Sequence, residues 1–192
     1  TFTWRISDPN LKDAFILVND EVIHNATGSI MLDEEGYYTI TLYGEDKAGN
    51  WREVTYIIQI DRTPPEIHLS GIENNSYYQE VTFNWLVTDD HLDSVIVLVN
   101  NTPYSYGSFG NITLPNETYD VAVYNITIIA QDLAGNGISL FYLITIDASP
   151  PDINVPGVVN GSIVRELTFT WRISDPNLKD AFILVNDEVI HN

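Results

Sequence analysis

The side chains best suited to chemistry in this sequence are carboxylates, because it holds 27 acidic residues, four histidines and no cysteine. Without cysteine there is no thiolate nucleophile, thiolate zinc site or disulfide. Asp46 and Asp132 open two D-x-A-G-N segments, and Asp61 and Asp147 lie 15 residues further on in each case. Oxygen-rich sites suit calcium, so these four residues are the candidate metal ligands. The favoured interpretation of Asp46 and Asp132 is structural, since an aspartate at a turn accepts backbone amides two residues on.

Other arrangements of polar residues give weaker indications of chemistry. The segment Asp89-Asp90-His91-Leu92-Asp93 has metal-ligating residue types, but the equivalent segment 7–13 has no histidine, so a solvated acidic turn is predicted. Neither His24 nor His68 has a second histidine at ligand spacing, which argues against a transition-metal site. The sequence has no G-x-S-x-G, H-E-x-x-H or phosphate-loop motif, and we predict that it is not an enzyme.

Seven Asn-X-Ser/Thr sequons are the most functional-looking feature of the chain. Asparagine-rich turns and threonine-rich strands also produce this motif, but the sequon at Asn125 lies on the outward face of an alternating strand. We therefore expect covalent N-glycans at several of these positions, where they would coat the surface and protect strand edges. The sequons are at Asn25, Asn74, Asn100, Asn111, Asn116, Asn125 and Asn160.

The overall charge excludes two classes of partner. The net charge is -19 with a pI near 4.1, which repels nucleic acid and anionic lipid. No apolar run approaches the roughly 20 residues that span a bilayer, so no direct membrane insertion is expected in this segment. With 44% hydrophobic and 11% aromatic residues, the chain has enough apolar surface to bury a core.

The sequence contains a long exact repeat. Residues 1–25 recur unchanged as residues 168–192, which gives a period of 167 residues. We read the chain as a window on a tandem array, with neighbouring copies of the repeat as head-to-tail partners. Continuation of the polypeptide is the favoured link between copies, and strand donation between separate chains is the alternative.

Each repeat divides into two diverged modules. Pro64-Pro65-Glu66-Ile67, Phe83-Asn84-Trp85 and Asp46-Lys47-Ala48-Gly49-Asn50 each have a counterpart 86 positions later. This spacing divides the chain into residues 1–63 (module A, lacking its first strand), residues 64–149 (module B, complete) and residues 150–192 (the front half of the next module A). The modules differ in length by five residues, which we place in a surface loop over 101–115.

Apolar residues alternate within each module, as in Phe83, Trp85 and Val87, and no helical period is present. About seven short strands with regular turns predict an antiparallel β-sandwich. The succession of PPxI, F-x-W, a tyrosine-led strand and D-x-A-G-N resembles the immunoglobulin-like, fibronectin-III-like tandem repeats of large bacterial and archaeal cell-surface proteins.

That resemblance implies all-β, tandem Ig-like sandwiches joined by short Pro-Pro linkers. It also implies an extracellular, cell-surface location and a structural role in a filament, stalk or surface layer. The tyrosine corner of this family would correspond to Tyr38 and Tyr124 here.

Two features suggest contacts with other molecules. Strands Ala14–Val18 and Val95–Val99 are apolar on both faces, and their outer residues would form an interface. These interface residues are Phe15, Leu17, Ile96 and Leu98. Three aromatic residues in the predicted loop, Tyr104, Tyr106 and Phe109, support an alternative function as an adhesin-type module that binds a glycan or protein. A further alternative is a spacer within a large secreted enzyme.

Overall fold

The computed structural model of the protein describes residues 1–114 and 121–190, and the described residues form an all-β fold of mainly antiparallel sheets. The described part contains no helix long and apolar enough to cross a membrane. Module A holds six strands: β1 (Phe2–Arg5), β2 (Leu11–Val18), β3 (Glu21–Ile23), β4 (Thr27–Ile30), β5 (Gly36–Asp46) and β6 (Trp51–Ile60). They form a two-stranded sheet, β1-β4, and a four-stranded sheet in the order β3-β2-β5-β6.

The described residues of module B form eight strands in two facing sheets. The strands are β7 (Glu66–Ser70), β8 (Ser76–Tyr78), β9 (Val81–Thr88), β10 (Leu92–Val99), β11 (Thr102–Ser105), β12 (Phe109–Leu114), β13 (Ala122–Asp132) and β14 (Gly137–Ile146). One sheet has the order β12-β9-β7 and the other β11-β10-β13-β14-β8. All pairs are antiparallel except β14 with β8, which is parallel.

The third segment forms two short two-stranded sheets. Its strands are β15 (Asp152–Asn154), β16 (Arg172–Ser174), β17 (Ile183–Val185) and β18 (Glu188–Ile190). β15 pairs with β16 and β17 with β18, both antiparallel.

The core of module B follows from the alternation in its strands. In β9, Val81, Phe83, Trp85 and Val87 are buried while the residues between them are exposed. These side chains meet buried residues of β10, β12, β13 and β14 in one cluster, so both sheets enclose a common core. The predicted all-β antiparallel sandwich is confirmed.

Each module packs a tryptophan directly on a glycine of the neighbouring strand. Trp85 lies opposite Gly110, and a Cβ on that glycine would be 2.4 Å from the indole. Trp4 and Gly28 repeat this arrangement with the same 2.4 Å distance. The Trp85 Nε1 donates to the Gly107 carbonyl at 3.1 Å, so its buried N–H is satisfied.

The prediction of a surface loop over 101–115 is wrong for most of that stretch. β11 and β12 occupy 102–105 and 109–114, and Ile112 and Leu114 are buried. Thr, Pro, Gly and Asn in this stretch favour turns, but pairing with β9 and β10 outweighs that local preference. Pro115 lies outside the described residues.

Candidate functional site at the module junctions

The aspartates that open the D-x-A-G-N turns are held by those turns. Asp46 Oδ1 accepts the amides of Ala48 and Asn50, both at 2.8 Å, and Asp46 Oδ2 accepts Asn50 Nδ2 at 2.7 Å. Asp132 accepts the amide and Nδ2 of Asn136 at 2.8 and 2.7 Å. These bonds match the structural role that the sequence favours for both aspartates.

Hydrogen bonding determines the charge state of these turns. Donation from the Asn50 side chain, followed by its backbone amide, lowers the pKa of Asp46. At Asp132 burial raises the pKa, but donors from Asn136, Gly135 and Ala134 together outweigh it and leave the pKa lowered. Both groups therefore favour the carboxylate in the folded state.

The junction between modules A and B is formed around Asp61, directly after β6. Its Oδ2 lies 3.0 Å from His91 Nδ1, and its Oδ1 accepts the Thr63 amide at 3.1 Å. Its carbonyl accepts Asn136 Nδ2 at 3.1 Å, so the D-x-A-G-N turn of module B also contacts the end of module A. Pro65 is buried at the entry to β7. Asp61 thus links two separate loops of module B to the last strand of module A.

The junction after module B repeats this arrangement with one change. Asp147 follows β14 as Asp61 follows β6, and its Oδ2 accepts Asn177 Nδ2 at 2.7 Å. Its Oδ1 accepts the amide and hydroxyl of Ser149 at 3.0 and 2.6 Å. The Ser149 hydroxyl, then Asn177, lowers the pKa of Asp147. Since Asn177 lies 86 positions after His91, a side-chain amide replaces the imidazole at an equivalent position.

One cluster at the first junction has metal-ligating residue types. The ligand atoms of Asp61, Asp89 and His91 lie within 4.8 Å of one another, and all three residues are half-buried. Carboxylates with an imidazole suit a transition metal better than calcium. The sequence indicated an acidic turn at 89–93 but not the approach of Asp61. The four predicted calcium ligands are spread over the Asp46 turn, the first junction and the second junction.

The sequons occupy different environments. Asn25, Asn74, Asn100, Asn111 and Asn160 are exposed. Asn125 is half-buried, and its Nδ2, the atom that would carry a glycan, lies 3.4 Å from Asn101 Oδ1. Asn116 lies outside the described residues.

The predicted contact residues lie on outer sheet faces. Phe15 stacks on Tyr43 with ring centroids 4.7 Å apart, and Phe15 and Leu17 are half-buried. Ile96 and Leu98 alternate with the buried Val95 and Val97 and are also half-buried.

The three aromatic residues of the alternative binding function do not share one loop. Tyr104 lies in β11 and makes an edge contact with Trp85, Tyr106 lies in the following turn, and Phe109 begins β12. All three are exposed, with Tyr106 and Phe109 at 71% and 73%.

The tyrosine corner is present in module A. The Tyr38 hydroxyl donates to the Glu34 carbonyl at 3.1 Å, four residues upstream. This bond fixes the chain where it enters β5, as the resemblance implies.

Comparison with known proteins yields weak structural likeness alone. No protein-family model matches the chain, and no curated protein matches its sequence. The solved fibronectin(III)-like modules of Clostridium thermocellum CbhA are similar at 14% identity, over 75% of this chain and 82% of that chain, with a TM-score of 0.37. The fold assignment therefore rests on the strand pairing of module B described above.

Proposed function

We propose that this chain is a non-catalytic structural repeat of an extracellular filament, stalk or surface layer, related to immunoglobulin-like and fibronectin-III-like repeats. The observation that carries the proposal is the recurrence of one junction design. An aspartate that follows the last strand of one module accepts a side-chain N–H from the turn after the F-x-W strand of the next, once as Asp61 with His91 and once as Asp147 with Asn177.

A repeated junction of this kind would make a tandem array of modules stiff. Proline at Pro64, Pro65, Pro150 and Pro151 fixes φ and removes backbone donors between modules. The aspartate contacts further restrict the angle between adjacent modules, so each added module extends the array in a similar direction. In this proposal the Pro-Pro segments act as short linkers, and neighbouring copies of the repeat are the partners.

Glycosylation is part of the proposal. The exposed sequons would carry glycans outward, and the net charge of -19 would keep parallel arrays apart. Intact and peptide mass spectrometry of the protein from its native source tests this. Glycans on Asn74, Asn111 or Asn160 would support the proposal, and unmodified asparagine at every sequon would remove glycosylation from it.

The exposed aromatic residues favour a second candidate function. Tyr104, Tyr106 and Phe109 are exposed on the edge strands β11 and β12 and on the segment between them, and exposed aromatic residues suit a module that binds a glycan or protein. A glycan array distinguishes the two functions, because an adhesin binds and loses binding when Tyr104 and Tyr106 become alanine.

Small-angle scattering on polypeptides of one, two and three 167-residue units tests the structural function. A rigid array predicts that the maximum dimension grows in proportion to the number of units. Growth closer to the square root of that number would indicate freely jointed modules and would contradict the proposal.

A further inference from the structure

Three metal-ligating side chains from two modules meet at the junction between modules A and B. Asp61 directly follows β6, the last strand of module A, whereas Asp89 and His91 lie in the turn between β9 and β10 of module B. Their ligand atoms lie within 4.8 Å of one another, and all three residues, here called the junction trio, are half-buried. Neither module contains the trio by itself, so the site exists only where the two modules meet.

The separation of two of the ligand atoms suits a shared metal ion. His91 Nδ1 lies 3.0 Å from Asp61 Oδ2. Two ligand atoms that bind one ion at about 2.1 Å each, at a right angle to each other, are about 3.0 Å apart. An ion can therefore bind the imidazole and the carboxylate without a change in their separation.

Asp89 supplies the third ligand from a turn that holds its carboxylate in place. Its Oδ1 accepts the His91 amide at 2.7 Å. Its other oxygen, Oδ2, has no hydrogen-bond partner in the described part of the chain. Ligand atoms on opposite sides of one such ion are about 4.2 Å apart, so a side-chain movement of about 1 Å brings all three residues onto it.

The mixture of ligand types indicates the class of ion. Imidazole suits zinc, copper, iron and nickel, whereas calcium takes oxygen ligands. Two carboxylates also balance the two positive charges of a divalent ion. Three protein ligands leave a fourth tetrahedral position of zinc for water, and the half-buried trio is accessible to water.

The second junction repeats the trio with one change, because Asn177 takes the place of His91. Asn177 Nδ2 donates to Asp147 Oδ2 at 2.7 Å, and Asp175 Oδ1 accepts the Asn177 amide at 2.7 Å. An asparagine thus makes both contacts that His91 makes at the first junction. What the histidine adds is a ring nitrogen that can bind a metal, which the amide nitrogen of asparagine cannot do.

We propose that the junction trio binds one divalent transition-metal ion of the zinc type, with one ligand from module A and two from module B. The ion holds the two modules together through three bonds in place of one hydrogen bond. The inference rests on the proposed function, since it adds an ion to the junction that restricts the angle between modules A and B. The junction after module B, which has Asn177, does not bind the ion.

Isothermal titration calorimetry of the full chain with Zn²⁺ tests this site, and we expect one ion per chain. His91→Asn copies the residue of the second junction, so the fold and the contact with Asp61 should remain. Zinc should nevertheless bind this variant at least about 100-fold more weakly, because loss of a residue that merely orients a ligand already costs about 10–100-fold. Asp89→Asn keeps the Oδ1 acceptor but loses the carboxylate charge, and it should weaken binding as strongly.

The matched control is His68→Asn. His68 Nε2 lies 3.4 Å from Glu66 Oε2, so this change also removes an imidazole beside a carboxylate, but outside the trio. The zinc affinity should stay within about twofold of the wild type. Equal binding by His91→Asn and the wild type, or equal weakening by His91→Asn and His68→Asn, would indicate an adventitious ion only and would overturn the inference.

A gain of binding tests whether the trio is sufficient. Asn177→His completes the same three ligand types with Asp147 and Asp175, and it should raise the stoichiometry from one zinc ion to two. A stoichiometry that stays at one would overturn the assignment of the trio as the complete set of protein ligands.

Competition tests the class of ion. Millimolar Ca²⁺ should leave the zinc affinity of the wild type unchanged, and displacement of zinc would overturn the transition-metal assignment. If zinc does not bind while multi-unit polypeptides remain rigid in scattering, this inference falls and the proposed function stands.

Discussion

Replacing Gly110 by alanine should destabilise module B through one steric contact. The added Cβ would lie 2.4 and 2.7 Å from two carbons of the Trp85 ring, well inside van der Waals contact. Trp85 is 4% exposed and is surrounded by the core, so the ring moves only if its neighbours move. Overpacking of this kind costs about 1–3 kcal/mol.

Hydrogen exchange of the β13 amides measures this cost within module B. If those amides exchange through unfolding of the module, 1–3 kcal/mol accelerates exchange by about 5-fold to 150-fold. Gly137→Ala is the matched control, because its Cβ would meet only the Ala130 carbonyl oxygen at 3.6 Å, an ordinary contact. Exchange in Gly110→Ala no faster than in the control would refute the packing of Trp85 on Gly110.

Three further outcomes are expected. Hydrogen bonds lower the folded-state pKa of Asp46, Asp132 and Asp147. The stability that these three carboxylates contribute to the fold is therefore complete above their unfolded-state pKa near 3.8, and it is lost as the pH falls through their folded-state pKa values. As the pH is lowered below about 4, the melting temperature should therefore fall, and it should fall less in Asp132→Asn than in the wild type. A wild-type melting temperature that does not change with pH below about 4 would contradict this expectation. Leu98→Asp should disrupt the predicted contact of the outer β10 face with another module or chain, measured by sedimentation, while module B stays folded by circular dichroism, since Leu98 lies outside the core; unfolding would instead place it in the core. If calcium binds at Asp61, millimolar calcium should raise the melting temperature of the wild type but not of Asp61→Asn, and equal shifts would exclude Asp61 as a ligand.

The sandwich could be predicted from the sequence because its strands alternate strongly. Phe83, Trp85 and Val87 alternate with Thr82, Asn84 and Leu86, and the first three are buried while the other three are exposed, as the period of two requires. The strands within 101–115 could not be predicted in this way, since turn-forming residues interrupt them and pairing with β9 and β10 stabilises them.

The junction was only partly accessible from the sequence. Asp61 and His91 are 30 residues apart, and no local pattern brings them together. Asp147 and Asn177 have the same separation, so comparison of the two modules at a spacing of 86 would have identified both pairs as equivalent. The comparison of the two modules therefore carries the information about these contacts, and the local sequence around Asp61 or Asp147 does not.

One distance measurement tests most directly whether Asp61 restricts the angle between modules A and B. Spin labels at Glu53→Cys in β6 and Asn84→Cys in β9, both exposed positions, report that angle by pulsed electron resonance. The structure predicts one narrow distance distribution in the wild type and in the control Asp90→Ala, and a broad one in Asp61→Ala, which loses the His91 and Thr63 contacts. A wild-type distribution as broad as that of Asp61→Ala would contradict a fixed junction.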